Sequence, residues 1–76
     1  MPHVVIKLLS GRSEQQKANL AKLVTQAVMT GAQCSEQSVS ISIEDVEPAE
    51  WAEKVYKPDI MEQADRFYKK PGYNPL

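Results

Sequence analysis

Pro2-His3-Val4-Val5-Ile6-Lys7-Leu8-Leu9-Ser10-Gly11-Arg12-Ser13-Glu14-Gln15-Gln16 decides the architecture of this chain. Its first half is apolar, and three β-branched residues in a row (Val4, Val5, Ile6) favour an extended strand. Ser10-Gly11-Arg12 reads as a turn. Ser13 followed by Gln16 matches a capping box, in which each side chain bonds the other's backbone N–H at the start of a helix. Leu20, Leu23, Val24, Ala27 and Val28 then recur at helical spacing. They predict an amphipathic helix of about 18 residues that Gly31 stops.

Beyond that helix, Val39, Ile41 and Ile43 alternate with Ser40, Ser42 and Glu44, the pattern of a half-buried second strand. Strand, helix, strand implies a βαβ unit with parallel strands, right-handed by the crossover rule. Pro48 suits the first turn of a short helix over about 48–55. Ile60, Met61, Ala64, Phe67 and Tyr68 share one helical face, which predicts a further helix over about 59–69, ended by Pro71-Gly72. The tail Tyr73-Asn74-Pro75-Leu76 carries no readable pattern. No repeat or linker divides the chain, so residues 1–76 form one domain.

A chain of 76 residues buries only about 60% of its unfolded surface, and small domains of that kind rely on disulfides, metals or self-association. The single cysteine, Cys34, forms no internal disulfide, and with a single histidine it builds no Cys/His zinc site. Self-association is the remaining aid. A two-stranded parallel sheet also wants its faces covered and its edges paired, which two chains achieve by joining edges into one four-stranded sheet. A homodimer is therefore expected, with a larger ring as the other arrangement.

The net charge of −1 offers no basic excess for nucleic acid or an anionic membrane. No apolar run approaches the ~18 residues of a membrane span. Lys7, Arg12, Glu14 and Lys17 interrupt any secretory leader. These features predict a cytoplasmic protein with Cys34 reduced.

Pro2 has two readings, a proline that opens a strand and a candidate base. Removal of Met1 makes it the N-terminus, and its nitrogen becomes a secondary amine with a free lone pair. An α-amino group titrates near ~7.7–8.0, so a modest shift turns it into a base at neutral pH. Arg12 lies past the far end of the first strand. At ~3.3 Å per residue that is over 20 Å from Pro2, so the two meet only if Arg12 comes from another chain or the loop folds back. Trp51 follows the second strand in an amphipathic segment (Trp51, Val55 and Tyr56 against Glu50, Glu53 and Lys54) suited to walling an apolar pocket. His3 adjoins Pro2, on the opposite face of the strand by alternation, and is a candidate second acid/base.

The N-terminal proline, the βαβ unit, the run Gly11-Arg12-Ser13-Glu14-Gln15-Gln16-Lys17 and the strand Ser38-Val39-Ser40-Ile41-Ser42-Ile43-Glu44 together resemble the 4-oxalocrotonate tautomerase family. Trp51 and Lys69-Lys70-Pro71-Gly72-Tyr73 resemble its longer bacterial PptA (YdcE)-like subgroup. The resemblance implies the α/β (α+β) tautomerase/MIF-like fold, with the sheet completed across a dimer. It implies keto–enol proton transfer on a small 2-oxo acid without metal or organic cofactor. Pro2 corresponds to the family's general base, Arg12 to the loop arginine that reaches in from a neighbouring chain to hold the substrate, and Trp51 to an aromatic wall. One residue departs from the pattern. The family's best-known members carry a second arginine on the second strand, where this chain has Ser40. A hydroxyl is no carboxylate clamp, so the expected substrate is a monoacid enolpyruvate with an aryl or alkyl substituent. Two other readings stand beside this one: hydration or dehalogenation of a short unsaturated acid by the same amine, and a dimeric interaction domain without catalysis.

Overall fold

The computed structural model describes residues 1–76. Strand β1 (His3–Leu9) leads into helix α1 (Glu14–Ala32), a 3-10 turn (Glu36–Ser38) and strand β2 (Ser40–Val46). A 3-10 turn (Pro48–Glu50), a π-helix (Ala52–Met61) and a last 3-10 turn (Ala64–Arg66) complete the chain. β1 and β2 pair in parallel, from His3 opposite Ser40 to Leu9 opposite Val46. The βαβ unit is thus the one the sequence predicts.

Strand alternation assigns the two faces. Val4, Ile6, Leu8, Ile41 and Ile43 share one face and are all half-buried. Asp45 lies on that face too, and its carboxylate accepts from Lys17 of α1 at 2.7 Å, which places α1 over it. The other face carries Val5, Lys7, Leu9 and Val46. The π-helix packs at its far end, where Val46, Val55 and Tyr56 are the three buried residues of the chain.

The capping box at the start of α1 is present as predicted. Gln16 N–H donates to Ser13 Oγ at 3.1 Å, and Ser13 N–H donates to Gln16 Oε1 at 2.9 Å. The C-terminus differs from expectation: α1 runs through Gly31 and ends at Gln33, which adopts the left-handed conformation at φ 54°. The N–H groups of Gln33 and Cys34 both donate to Met29 O, so the last turn is closed by backbone bonds and needs no glycine. A non-glycine residue there carries roughly 1 kcal/mol of strain. Gln33→Gly should therefore raise stability by about 0.5–1 kcal/mol, read from the urea midpoint at unchanged slope.

The two C-terminal helices expected over about 48–55 and 59–69 are corrected. One helical stretch covers Pro48 to Met61, and most of it is π-helix with Pro58 inside. Proline lacks an N–H and clashes with the carbonyl four residues back, and the wider i→i+5 turn gives its ring room. The bond from Glu62 N–H to Lys57 O, at 3.0 Å, has that spacing. Past Met61 the chain leaves the helix: Gln63 sits at φ −112°, ψ 15°, and Phe67 is extended.

The molecule has more surface than its mass requires. Its accessible area is 5834 Å², whereas a compact monomer of 8.5 kDa exposes about 4,700 Å². Its radius of gyration is 13.8 Å, against about 11.4 Å for a compact chain of this length. The flat shape, 39 × 31 × 18 Å, leaves Val5 53% and Leu23 55% exposed. The surplus of roughly 1,200 Å² is comparable to the area each partner of a stable pair gives up.

Candidate active site

The candidate site forms where β1 and β2 end. Gly11 makes the turn there at φ 124°. A Cβ on Gly11 would meet open space, so backbone conformation and not crowding requires the glycine. Before it, Ser10 N–H donates to Val46 O at 3.0 Å and extends the strand ladder by one bond. After it, Arg12 turns back, and its Nη1 donates to Leu9 O at 3.2 Å. A guanidinium has five N–H donors in a planar fork, so this bond orients Arg12 and leaves the others for a ligand. Gly11→Ala should cost about 1–3 kcal/mol of stability through backbone strain and displace Arg12. Chemical denaturation reads the first effect, and a raised KM reads the second.

Trp51 stands just after the Pro48–Glu50 turn. Its indole Nε1–H donates to Tyr73 Oη at 2.9 Å. Tyr73 is fixed further: its carbonyl accepts from Tyr56 Oη at 3.4 Å, and its ring lies tilted against that of Tyr56 with centroids 5.6 Å apart. The tail that carries no readable sequence pattern is therefore folded against the site. Lys7, Leu9, Arg12, Pro48, Trp51 and Tyr73 line a cleft of about 510 Å³, in the size range of small-molecule sites.

Lys7 reaches the edge of this cleft, but its ammonium is paired with Asp59. The hydrogen bond it donates to the Asp59 carboxylate raises its pKa above the usual 10.5. A raised lysine pKa gives a contribution that is complete below pH 10.5 and lost only as pH climbs through the folded value. Near neutrality the pair is intact, and Arg12 is the cation free for an anionic ligand.

Of the residues singled out in the sequence, Arg12 and Trp51 come together in this cleft, and Pro2 does not join them. Pro2 is half-buried at the opposite end of β1, its carbonyl accepting from Ser40 N–H at 3.1 Å. The seven residues of β1 put it roughly 20 Å or more from the turn that holds Arg12. Next to it, His3 Nδ1 lies 2.7 Å from Ser40 Oγ across the strand pair. Tyr73 is the residue that sequence reasoning missed. Its signal was an aromatic side chain set between Pro71-Gly72 and Pro75, in a segment too stiff to be free coil.

Comparisons with known proteins place the chain in a family. The model of the family described as "Tautomerase enzyme" matches residues 2–55. A protein named "Probable tautomerase" in Xylella fastidiosa is 37% identical over 76 residues, covering 100% of this chain and 93% of its own length. Tautomerase PptA of Cronobacter sakazakii is 35% identical over 96% of this chain and 97% of its own. Among solved structures, YwhB, a homologue of 4-oxalocrotonate tautomerase, superposes with a TM-score of 0.59 at 39% identity, covering 60% of this chain and 75% of that one. A structure from work on the 4-oxalocrotonate tautomerase isozymes of Methylibium petroleiphilum gives 0.59 at 37% identity, over 60% and 74%. With the family model, two near-full-length relatives and the βαβ unit in agreement, the chain belongs to the tautomerase family of isomerases.

Proposed function

We propose that this tautomerase interconverts the enol and keto forms of a monoacid 2-oxo acid, using Pro2, freed by removal of Met1, as the proton carrier. The observation that carries the reading is the separation along β1: Arg12 and Trp51 share a cleft at one end, and Pro2 stands at the other. β1 has one edge paired with β2 and one edge free. Two chains that join their free β1 edges antiparallel form a four-stranded sheet. That pairing sets the start of each β1 beside the end of the other, at the ~4.8 Å spacing of neighbouring strands. Pro2 of one chain then faces Arg12 and Trp51 of its partner, and a homodimer holds two identical sites. The surplus surface of the single chain supports the same assembly.

In the assembled cleft the reaction needs only these groups. Arg12 grips the substrate carboxylate through two parallel N–H bonds. Trp51 and Pro48 give the substituent an apolar wall and exclude water. Low polarity and a nearby guanidinium both disfavour a charged amine, so the Pro2 nitrogen is held neutral at pH 7. It takes the enol hydroxyl proton as the C=O bond forms, and the resulting ammonium returns that proton to C3 of the substrate. No cofactor takes part. Ser40 in place of a second arginine points to one carboxylate per substrate, as in an aryl- or alkyl-substituted enolpyruvate.

Intact mass of the cellular protein, combined with a ketonisation assay, tests this reading. The expected result is loss of one methionine, with phenylenolpyruvate turned over faster than dicarboxylate dienols. Full activity with Met1 retained, or faster turnover of the dicarboxylates, would refute it.

A further inference from the structure

The C-terminal segment does more than cover the cleft. We infer that Tyr73 is a substrate-binding residue whose hydroxyl donates a hydrogen bond to the carboxylate that Arg12 holds, so that this monoanion is gripped by one guanidinium and one phenol. The inference deepens the proposed reaction and rests on it for the substrate class.

The argument starts from the direction of one hydrogen bond. An indole nitrogen can only donate, and a phenol oxygen can do both. In the bond between Trp51 Nε1 and Tyr73 Oη the tyrosine is therefore the acceptor. Its own proton is not used in that bond, and accepting from the indole polarises the O–H and strengthens it as a donor. Tyr73 and Arg12 both line the same cleft, where Tyr73 is 48% exposed, so an anion lying on the guanidinium can replace the solvent that otherwise accepts this proton. The phenol is also preorganised. Its backbone carbonyl is held by Tyr56, its ring lies against the Tyr56 ring, and Tyr56 is buried. Little freedom is left to lose on binding.

This arrangement accounts for Ser40 as well. A site with two guanidinium groups suits two carboxylates, whereas a guanidinium and a neutral phenol suit one. The apolar parts of the cleft, Leu9, Pro48 and the Trp51 ring, then take the substituent and not a second charge.

The test is direct binding, read through Trp51, the single tryptophan of the chain. Cinnamate, an aryl monoacid that cannot tautomerise, is titrated into the processed protein, and uncharged cinnamamide serves as its control. Tyr73→Phe keeps the ring and its contact with Tyr56. The expected result is about a tenfold weaker affinity for cinnamate, with cinnamamide binding nearly unchanged. Unchanged cinnamate affinity in Tyr73→Phe would overturn the inference. So would an equal loss for both ligands, or no saturable fluorescence change in the native chain. These readings do not depend on Pro2: Pro2→Ala that retains turnover sinks the proposed reaction and leaves the binding result standing.

Discussion

Pro2→Ala in the processed chain should lower kcat by about 10²–10⁴, equivalent to roughly 3–5 kcal/mol of barrier stabilisation, with KM little changed. Alanine at the terminus still offers an amine, but a primary one on a freer backbone. The proline ring ties the nitrogen to its own side chain and removes the rotation about N–Cα that an alanine amine keeps. Position 2 is anchored where that restriction matters, because the Pro2 carbonyl is bonded to Ser40 N–H at the head of the strand pair. The substitution keeps this bond, so the loss should appear in the rate of proton transfer and not in folding. Steady-state ketonisation of phenylenolpyruvate, with thermal unfolding as a control, separates the two.

Arg12→Ala should act on binding. The side chain makes one bond within the protein, to Leu9 O, and the rest of its fork faces the cleft. Its loss removes a charged hydrogen-bonding partner from the substrate carboxylate. The expected effect is about 1.5–3 kcal/mol, or roughly a 10- to 150-fold rise in KM, with a smaller change in kcat. The apolar wall remains, so inhibitors without a carboxylate should bind the variant almost as well as the native chain. Inhibition by charged and uncharged aryl ligands checks this pattern.

The first two-thirds of the architecture was legible because local rules and tertiary packing agree there. The β-branched run of β1, the capping box at Ser13 and Gln16, and the alternation of β2 each have one reading, and the structure uses it. The region after Met61 failed for a physical reason. Ile60, Met61, Ala64, Phe67 and Tyr68 have helical spacing, but a short helix forms only when its apolar face has something to pack on. Within one chain Ile60, Ala64 and Phe67 are only half-buried and Met61 and Tyr68 are exposed, so that face buries too little to hold a helix. The residue before Pro71 is also biased toward extended backbone, which works against a helix reaching it. Gly31 misled because the chain has a second way to end a helix, a left-handed glutamine closed by backbone bonds.

The site was legible in a different measure. Arg12 and Trp51 were identifiable as candidates because one follows a turn glycine and the other opens an amphipathic segment, and the fold brings both to one cleft. Tyr73 was not, since its partner Trp51 is 22 residues away and no periodicity joins them. The distance between Pro2 and Arg12 was legible from the strand length alone, and it is the reason the proposed site draws on two chains.

Kinetic complementation tests that central claim most directly. Processed Pro2→Ala and Arg12→Ala chains are mixed, dissociated and reassembled, then assayed at substrate well below the native KM, where each parent alone is weak. In a site shared between chains, a mixed dimer joins the intact Pro2 of one variant to the intact Arg12 of the other. Random reassembly should then restore about a quarter of the native activity, one native site in each mixed dimer. Activity no greater than the sum of the two parents would contradict the account and place proline and arginine in separate functions.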